Sequence, residues 1–326
     1  MPRAQALLLS AILTLVACPG PGTDSDSETK DSEPDTHETG IDTQPATLDG
    51  ACPDITRLGR FIAASTTHYA YVTGSALNGV VPVNVYQPVT TEGECTLLQR
   101  DNPFCDGGCQ PNETCDFDGV CIPYPTSQDL GVVTVQGLLE PVSMEPVTPG
   151  YTYFNTSLPN PPWEPGAALT LQTGGGVFEP VTLHGVAPQA FSASNTTWNL
   201  VVGEPLPITW DPPTSESSSM VRITLNVDLH GITPALFECW FEDDGEGEVP
   251  ADLLEQFLSL GITGFPEGSF SRVTADQAPV GDDGCMDFWT SVDLVPDLSV
   301  DGYTPCTRDE DCPDGMECNE ELERCE

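Results

Sequence analysis

Val221-Arg-Ile-Thr-Leu-Asn-Val-Asp-Leu229 alternates apolar and polar side chains with a period of two, the pattern of a half-buried β-strand. Its relatives recur along the chain. Val80-Val-Pro-Val-Asn-Val-Tyr, Leu130-Gly-Val-Val-Thr-Val-Gln, Ala168-Leu-Thr-Leu-Gln and Thr197-Trp-Asn-Leu-Val-Val are short, rich in β-branched or aromatic residues, and separated by Gly, Pro and Asn clusters. This spacing predicts an all-β sandwich over residues 128–300, with residues 51–104 as a smaller β unit. One segment breaks the rhythm: Pro250-Ala-Asp-Leu-Leu-Glu-Gln-Phe-Leu-Ser-Leu-Gly261 has a helical apolar face of Leu253, Leu254, Phe257, Leu258 and Leu260. Pro and Asp open it and Gly261 stops it, so a single helix should cover an open edge or end of the sandwich.

The 326 residues carry 51 acidic and 9 basic side chains, a formal charge of −42. Lys30 is the lone lysine; the other eight bases are arginines. Nucleic acid is excluded as a partner, because its binding depends on Lys and Arg displacing counterions. Anionic lipid surfaces repel such a chain as well.

Thirteen cysteines mark the chain, and twelve remain once Cys18 is set aside. Cys105, Cys109, Cys115 and Cys121 form one cluster, and Cys306, Cys312, Cys318 and Cys325 another. The two look like one repeat, since Cys109-Gln-Pro-Asn-Glu-Thr-Cys115 aligns with Cys312-Pro-Asp-Gly-Met-Glu-Cys318. Each has too little apolar content for a core, so two disulfides should stand in for one. Four cysteines allow three connectivities and the spacing does not choose among them; first to third with second to fourth is the working guess. The modules would span residues 105–127 and 301–326. Cys52, Cys95, Cys239 and Cys285 are expected to pair as Cys52–Cys95 and Cys239–Cys285. Structural zinc is the competing use of four clustered cysteines, but neither cluster has Cys-x2-Cys knuckles.

Residues 1–17 read as an export signal: Arg3 is followed by an apolar run from Ala6 to Val16 that is too short to span a bilayer. The run ends in Leu15-Val16-Ala17-Cys18, which resembles the bacterial lipobox. That resemblance implies lipidation of Cys18, anchoring by two or more acyl chains, and, with Pro19 in place of Asp, the outer membrane. Whether the body faces the periplasm or the cell surface stays open. Residues 18–50 alternate acids with Ser and Thr and cannot repay their ordering entropy by burial. They are expected to be a disordered stalk about 30 Å long on average and roughly 100 Å when stretched.

The stretch Glu204-Pro-Leu-Pro-Ile-Thr-Trp-Asp-Pro-Pro-Thr-Ser, followed by the strand at Val221, is similar to the early strands of fibronectin type III modules. The similarity implies an immunoglobulin-like sandwich. As a whole the chain resembles uncharacterised, cysteine-rich lipoproteins typical of myxobacteria and their relatives. The shared features are the lipobox, the acidic stalk, Asn102-Pro-Phe-Cys, Cys115-Asp-Phe-Asp-Gly-Val-Cys, His230-Gly231, Cys239 with Asp243-Asp244-Gly245, Gly264-Phe265-Pro266 and the terminal Asp309-Glu-Asp-Cys run. This resemblance implies architecture and an envelope location, and no activity.

No G-x-S-x-G, H-E-x-x-H, Gly-rich phosphate loop or C-x-x-C occurs, and His68, His184 and His230 share no ligand-like spacing. A non-enzymatic binding or scaffolding role is therefore expected, with an unidentified protein or polysaccharide as partner and no cofactor beyond possible calcium. Calcium would bind hard oxygens on Gly-bearing turns, with Asp243, Asp244 and Glu246 as first candidates and Asp116 and Asp282-Asp283 behind them. Trp163, in the Pro-rich loop Asn160-Pro-Pro-Trp-Glu-Pro, is the candidate sugar platform. The alternatives are an extracellular hydrolase, a carbohydrate-binding accessory module, or a Ca²⁺-dependent adhesion protein.

Overall fold

The structure, a computed structural model, describes residues 47–100, 103–214, 218–227 and 235–326. Cys18, the stalk up to residue 46, Asn102 and His230-Gly231 lie outside the described residues. The strands run β1 Arg57–Ser65, β2 Ala70–Ala76, β3 Tyr86–Glu92, β4 Cys95–Arg100, β5 Glu113–Cys115, β6 Cys121–Pro123, β7 Val133–Gln136, β8 Val142–Met144, β9 Tyr153–Asn155 and β10 Ala168–Thr173. They continue as β11 Thr182–Val186, β12 Thr197–Leu200, β13 Leu206–Thr209, β14 Met220–Asn226, β15 Ala235–Glu242, β16 Glu246–Val249, β17 Glu267–Val280, β18 Gly284–Leu294 and β19 Asp297–Val300. The last hairpin is β20 Cys318–Asn319 with β21 Arg324–Cys325.

The fold is an all-β sandwich with one covering helix and small disulfide-stapled modules, the class expected from the alternation. Its main layer is a nine-stranded sheet in the order β3-β4-β15-β14-β17-β18-β1-β2-β9. Within it β1 runs parallel to β18 and the other neighbours are antiparallel. The second layer holds the sheet β11-β10-β7-β8 and the pairs β12-β19 and β13-β16. Between the layers lie Phe61, Val72, Val221, Ile223, Leu225, Phe237, Phe241, Phe270 and Phe288, nearly all without exposed surface. Trp198 and Trp210 close on Phe270 with ring centroids 5.5 and 5.9 Å away.

Where β11 crosses the nine-stranded sheet the approach is very close. A Cβ on Gly185 would stand 2.8 Å from the Thr290 side chain, so only glycine fits there. Polar side chains of the main sheet satisfy the backbone of β11 at this point. The Thr274 and Thr290 hydroxyls donate to the Val186 carbonyl at 2.9 and 3.1 Å, and the His184 N–H donates to Asp276 at 2.6 Å.

Residues 51–104 are not a separate unit, and this corrects the expected boundaries. β1 and β2 extend one side of the main sheet through β18, while β3 and β4 extend the other through β15. Their apolar faces are too small to close a core alone, so they complete a core made by later strands. The correction carries the disulfides with it. Cys95 and Cys239 face each other in the β4–β15 register and are bonded, and Cys52 is bonded to Cys285. The expected Cys52–Cys95 and Cys239–Cys285 pairs assumed local closure, whereas the sheet brings together cysteines 144 and 233 residues apart.

Both small modules have the alternating connectivity: Cys105–Cys115 with Cys109–Cys121, and Cys306–Cys318 with Cys312–Cys325. Gly264 ties the second module to the body, its N–H donating to the Leu322 carbonyl and its carbonyl accepting from the Tyr303 hydroxyl at 2.7 Å. The helix α1, Ala251–Ser259, buries Leu253, Leu254, Phe257 and Leu258 against β3, β4 and β15, with Phe257 5.5 Å from Phe237. Each such burial contributes about 1.5–3 kcal/mol, and Gly261 supplies the positive φ that ends the helix.

Candidate functional site

The outward face of the main sheet carries a pocket of 460 Å³, within the range of about 300–1,000 Å³ typical of small-molecule sites. Alternation builds it. In the strands whose inward residues form the core, the outward residues are Arg60 on β1, Trp289 on β18, Arg222 on β14, Glu238 and Trp240 on β15, Leu98 on β4 and Tyr86 on β3. The remaining wall is the segment that enters the body. β14 ends opposite Val273, and beyond that point Gly50 takes its place against β17, its N–H donating to the Ala275 carbonyl at 3.1 Å. The chain then crosses the outward face to reach β1, fixed by the Cys52–Cys285 bond, and contributes Ala51, Asp54 and Arg57.

Three of the eight arginines and two of the five tryptophans meet here. The Arg60 guanidinium lies 4.0 Å from the Trp289 ring centroid and grips Asp287 through Nε and Nη2 at 2.9 and 2.7 Å. Arg222 sits over both Trp289 and Trp240, at 5.3 and 5.6 Å, and bonds Glu238 through Nε at 2.6 Å. The two indoles meet edge to face at 5.5 Å. Such guanidinium–indole contacts are worth about 0.5–2 kcal/mol each and lock the side chains in place. Arg57 pairs with Asp54, so three guanidiniums stand against three carboxylates.

Trp289 is 6% exposed, yet its Nε1 finds no hydrogen-bond acceptor among the described residues. A buried donor left in that state costs about 1–3 kcal/mol. Further along β18, burial raises the Asp293 carboxyl above the ordinary value, while the Ser271 and Ser291 hydroxyls and Arg222 act in the opposite direction. On the far side of Trp240 lies a second, mainly apolar hollow of 570 Å³, lined by Leu48, Gly50, Ala51, Met220 and Val273.

The residues singled out in the sequence lie elsewhere. Trp163 is buried at 2% exposure, its Nε1 donating to the Pro188 carbonyl, so it offers no platform. The Pro-rich loop folds it inward because a ring of that size contributes more stability in the core than in water. Asp243 is not a free calcium ligand either: one oxygen accepts from Trp210 and Arg272, the other from Ser219 and Arg272. Those contacts hold Asp243 and Arg272 in a buried ion pair. Asp244 and Glu246 are neighbours at the adjoining turn, where the Glu246 N–H donates to Asp244. Asp116 accepts from the N–H groups of Asp118 and Val120 within its own turn. The sulfurs of Cys105, Cys109 and Cys121 lie within 4.8 Å of one another, as do those of Cys306, Cys312 and Cys325, but each sulfur belongs to a disulfide. His68 lies in the β1–β2 turn and His184 on β11, outside the pocket.

Sequence reasoning passed over Arg60, Arg222, Trp240 and Trp289. A signal was present: in a base-poor chain, arginines and tryptophans stand at outward positions of strands, as in Arg222-Ile, Glu238-Cys-Trp240 and Asp287-Phe-Trp289.

No protein-family model matches the chain, and no curated protein matches it. Among solved structures, the FN1–FN3 domains of chicken CNTN1 are similar at 9% identity over 70% of this chain and 78% of that one, with a TM-score of 0.18. That score is too low to transfer the role of any residue. Among the described residues no helix is long and apolar enough to cross a membrane.

Proposed function

We propose that the chain is a lipid-anchored binding protein of the bacterial outer membrane, held by acylated Cys18 on an acidic stalk and binding its ligand through the outward face of the main sheet. The observation that carries the binding role is the pocket itself, in which arginines and tryptophans scarce elsewhere are held in fixed geometry on an otherwise acidic protein. The lipobox and the polar stalk support the anchoring. A non-enzymatic role is supported by the carboxylates at the pocket: Asp54 and Glu238 in its lining and the buried Asp287 each accept from a guanidinium.

The test is twofold. A clickable fatty acid should label the wild-type protein, and a Cys18→Ser variant should lose the label and leave the membrane fraction. Protease treatment of intact cells, with a periplasmic protein as leakage control, then reports the side of the membrane. A soluble, unlabelled wild-type protein refutes the anchoring.

A further inference from the structure

We infer that the pocket between Trp240, Trp289, Arg60 and Arg222 binds a neutral polyhydroxylated ligand, a glycan chain, which runs across Trp240 into the adjoining hollow. This deepens the binding role proposed above and rests on it. Three observations select the ligand class.

The first is charge. Arg57, Arg60 and Arg222, the arginines that line the pocket, are each matched by a carboxylate and leave no excess of positive charge to hold an anion, although Arg100 stands over the Tyr86 ring at the rim with Nε unsatisfied among the described residues. A chain of net charge −42 adds no attraction for one. A cation fares no better. Asp287 is fully buried, with one oxygen accepting from Arg60 and the other from both Arg60 and the Cys52 N–H. Glu238 and Asp54 are likewise shared with arginines.

The second is the hydrogen-bonding surface that remains. Arg222 uses only Nε on Glu238, and Arg60 leaves Nη1 unused, among the described residues. The second oxygen of Glu238 is an acceptor beside those donors. Trp289 Nε1, which has no acceptor among the described residues, is sealed beneath this surface and is not part of it. Donors and acceptors thus alternate at fixed positions. A hydroxyl, which both donates and accepts, matches such a mixture where a simple ion does not.

The third is shape. Trp240 and Tyr86 are half-buried beside Leu98 and Leu236, with Arg222 over the first ring and Arg100 over the second, and the ring surface that these leave is suited to the apolar faces of sugar rings. The two hollows, 460 and 570 Å³, are adjacent, sharing Trp240 and Ala51 as their common wall, and a polymer lying over Trp240 would reach both.

The experiment is affinity electrophoresis of the detergent-solubilised full-length protein through gels containing neutral polysaccharides with gluco-, galacto-, manno- or xylo-configured backbones, with polygalacturonate as the anionic probe. At least one neutral polymer should retard the protein, with an affinity insensitive to salt between low and physiological ionic strength. Longer oligosaccharides of that polymer should compete better than the disaccharide. Trp240→Ala and Trp289→Phe should each weaken retention at least tenfold, and Phe104→Ala, at an exposed site just before the first cysteine module, should leave it unchanged. Near-ultraviolet circular dichroism checks folding, and Tyr86→Ala on the edge strand replaces any tryptophan variant that misfolds. The inference fails if no neutral polymer retards the protein, if only polygalacturonate does so in a salt-dependent way, or if well-folded Trp240 and Tyr86 variants bind like the wild type. Fatty-acid labelling of Cys18 reads the anchoring independently, so a failure of the ligand class is distinguishable from a failure of the tether.

Discussion

Arg272→Met removes the guanidinium that the interior of the sandwich is built around and keeps most of its apolar stem. Arg272 points inward from β17 with no exposed surface, and the side chain of its partner Asp243 is 4% exposed. The guanidinium bonds both Asp243 oxygens at 2.6 and 2.8 Å, donates to the carbonyls of Gln189 and Asp211 at 3.1 and 2.6 Å, and lies 4.7 Å from the Phe191 ring centroid. Removing one partner of a buried pair strands the other charge and costs about 3–5 kcal/mol. Two carbonyls that lose a donor push the loss toward the upper end of that range. At about 2–4 °C per kcal/mol for a large domain, the melting temperature should fall by about 10 °C. Urea unfolding of the oxidised protein should show a lower midpoint at unchanged slope. Adding Asp243→Asn to Arg272→Met removes the stranded charge while leaving Oδ1 to accept from the Trp210 indole and an NH2 group that can donate to the Ser219 hydroxyl, so the double variant should recover at least half of the loss. A single variant that loses less than about 1 kcal/mol, or a double variant less stable than the single, refutes this account of the pair.

Trp163→Ala should cost about 3–5 kcal/mol through the cavity it leaves and should not change polysaccharide retention by protein that remains folded; melting curves and affinity electrophoresis separate the two effects. Non-reducing peptide mapping should recover Cys52 linked to Cys285 and Cys95 linked to Cys239, and a Cys95→Ser/Cys239→Ser variant should lose about 2–5 kcal/mol in urea titrations. Asp293 has its pKa raised in the folded state, so its contribution to stability is full below the unfolded-state carboxylate pKa and is lost as pH rises through the folded value. Asp293→Asn should therefore raise the melting temperature at neutral pH, and the gain should vanish under acidic conditions; a gain independent of pH would contradict the assignment. Because Asp243 already serves Arg272, Trp210 and Ser219, millimolar calcium or EDTA should leave the melting temperature unchanged.

Local pattern was enough for much of this protein. The period-two alternation of Val221-Arg-Ile-Thr-Leu becomes β14, with Val221, Ile223 and Leu225 in the core. The 250–261 segment becomes the covering helix, and the two cysteine modules pair within themselves as their spacing suggested. Each of these features is decided within a few turns of chain, by side-chain period, a capping residue or a short loop closure. The same alternation that makes a strand also says which residues share a face, and so it placed Arg222 and Trp240 outward without saying what they would meet.

What they meet depended on the order of strands in the sheet. β1 lies beside β18, and β4 beside β15, and those neighbours are set by the summed packing of both layers rather than by any local signal. That order overruled the local disulfide pairing of Cys52 and Cys239 and joined residues 51–104 to the main sheet. It also assembled the pocket, because Arg60 reaches Trp289 only where strands more than two hundred residues apart run side by side in register. Several elements were therefore legible in the sequence, although the 80–86 segment, expected as a strand, turns through a 3-10 helix at Pro82–Asn84 before β3 begins. The site came from tertiary structure, since a strand's period is a short-range property and its neighbour is a property of the whole fold.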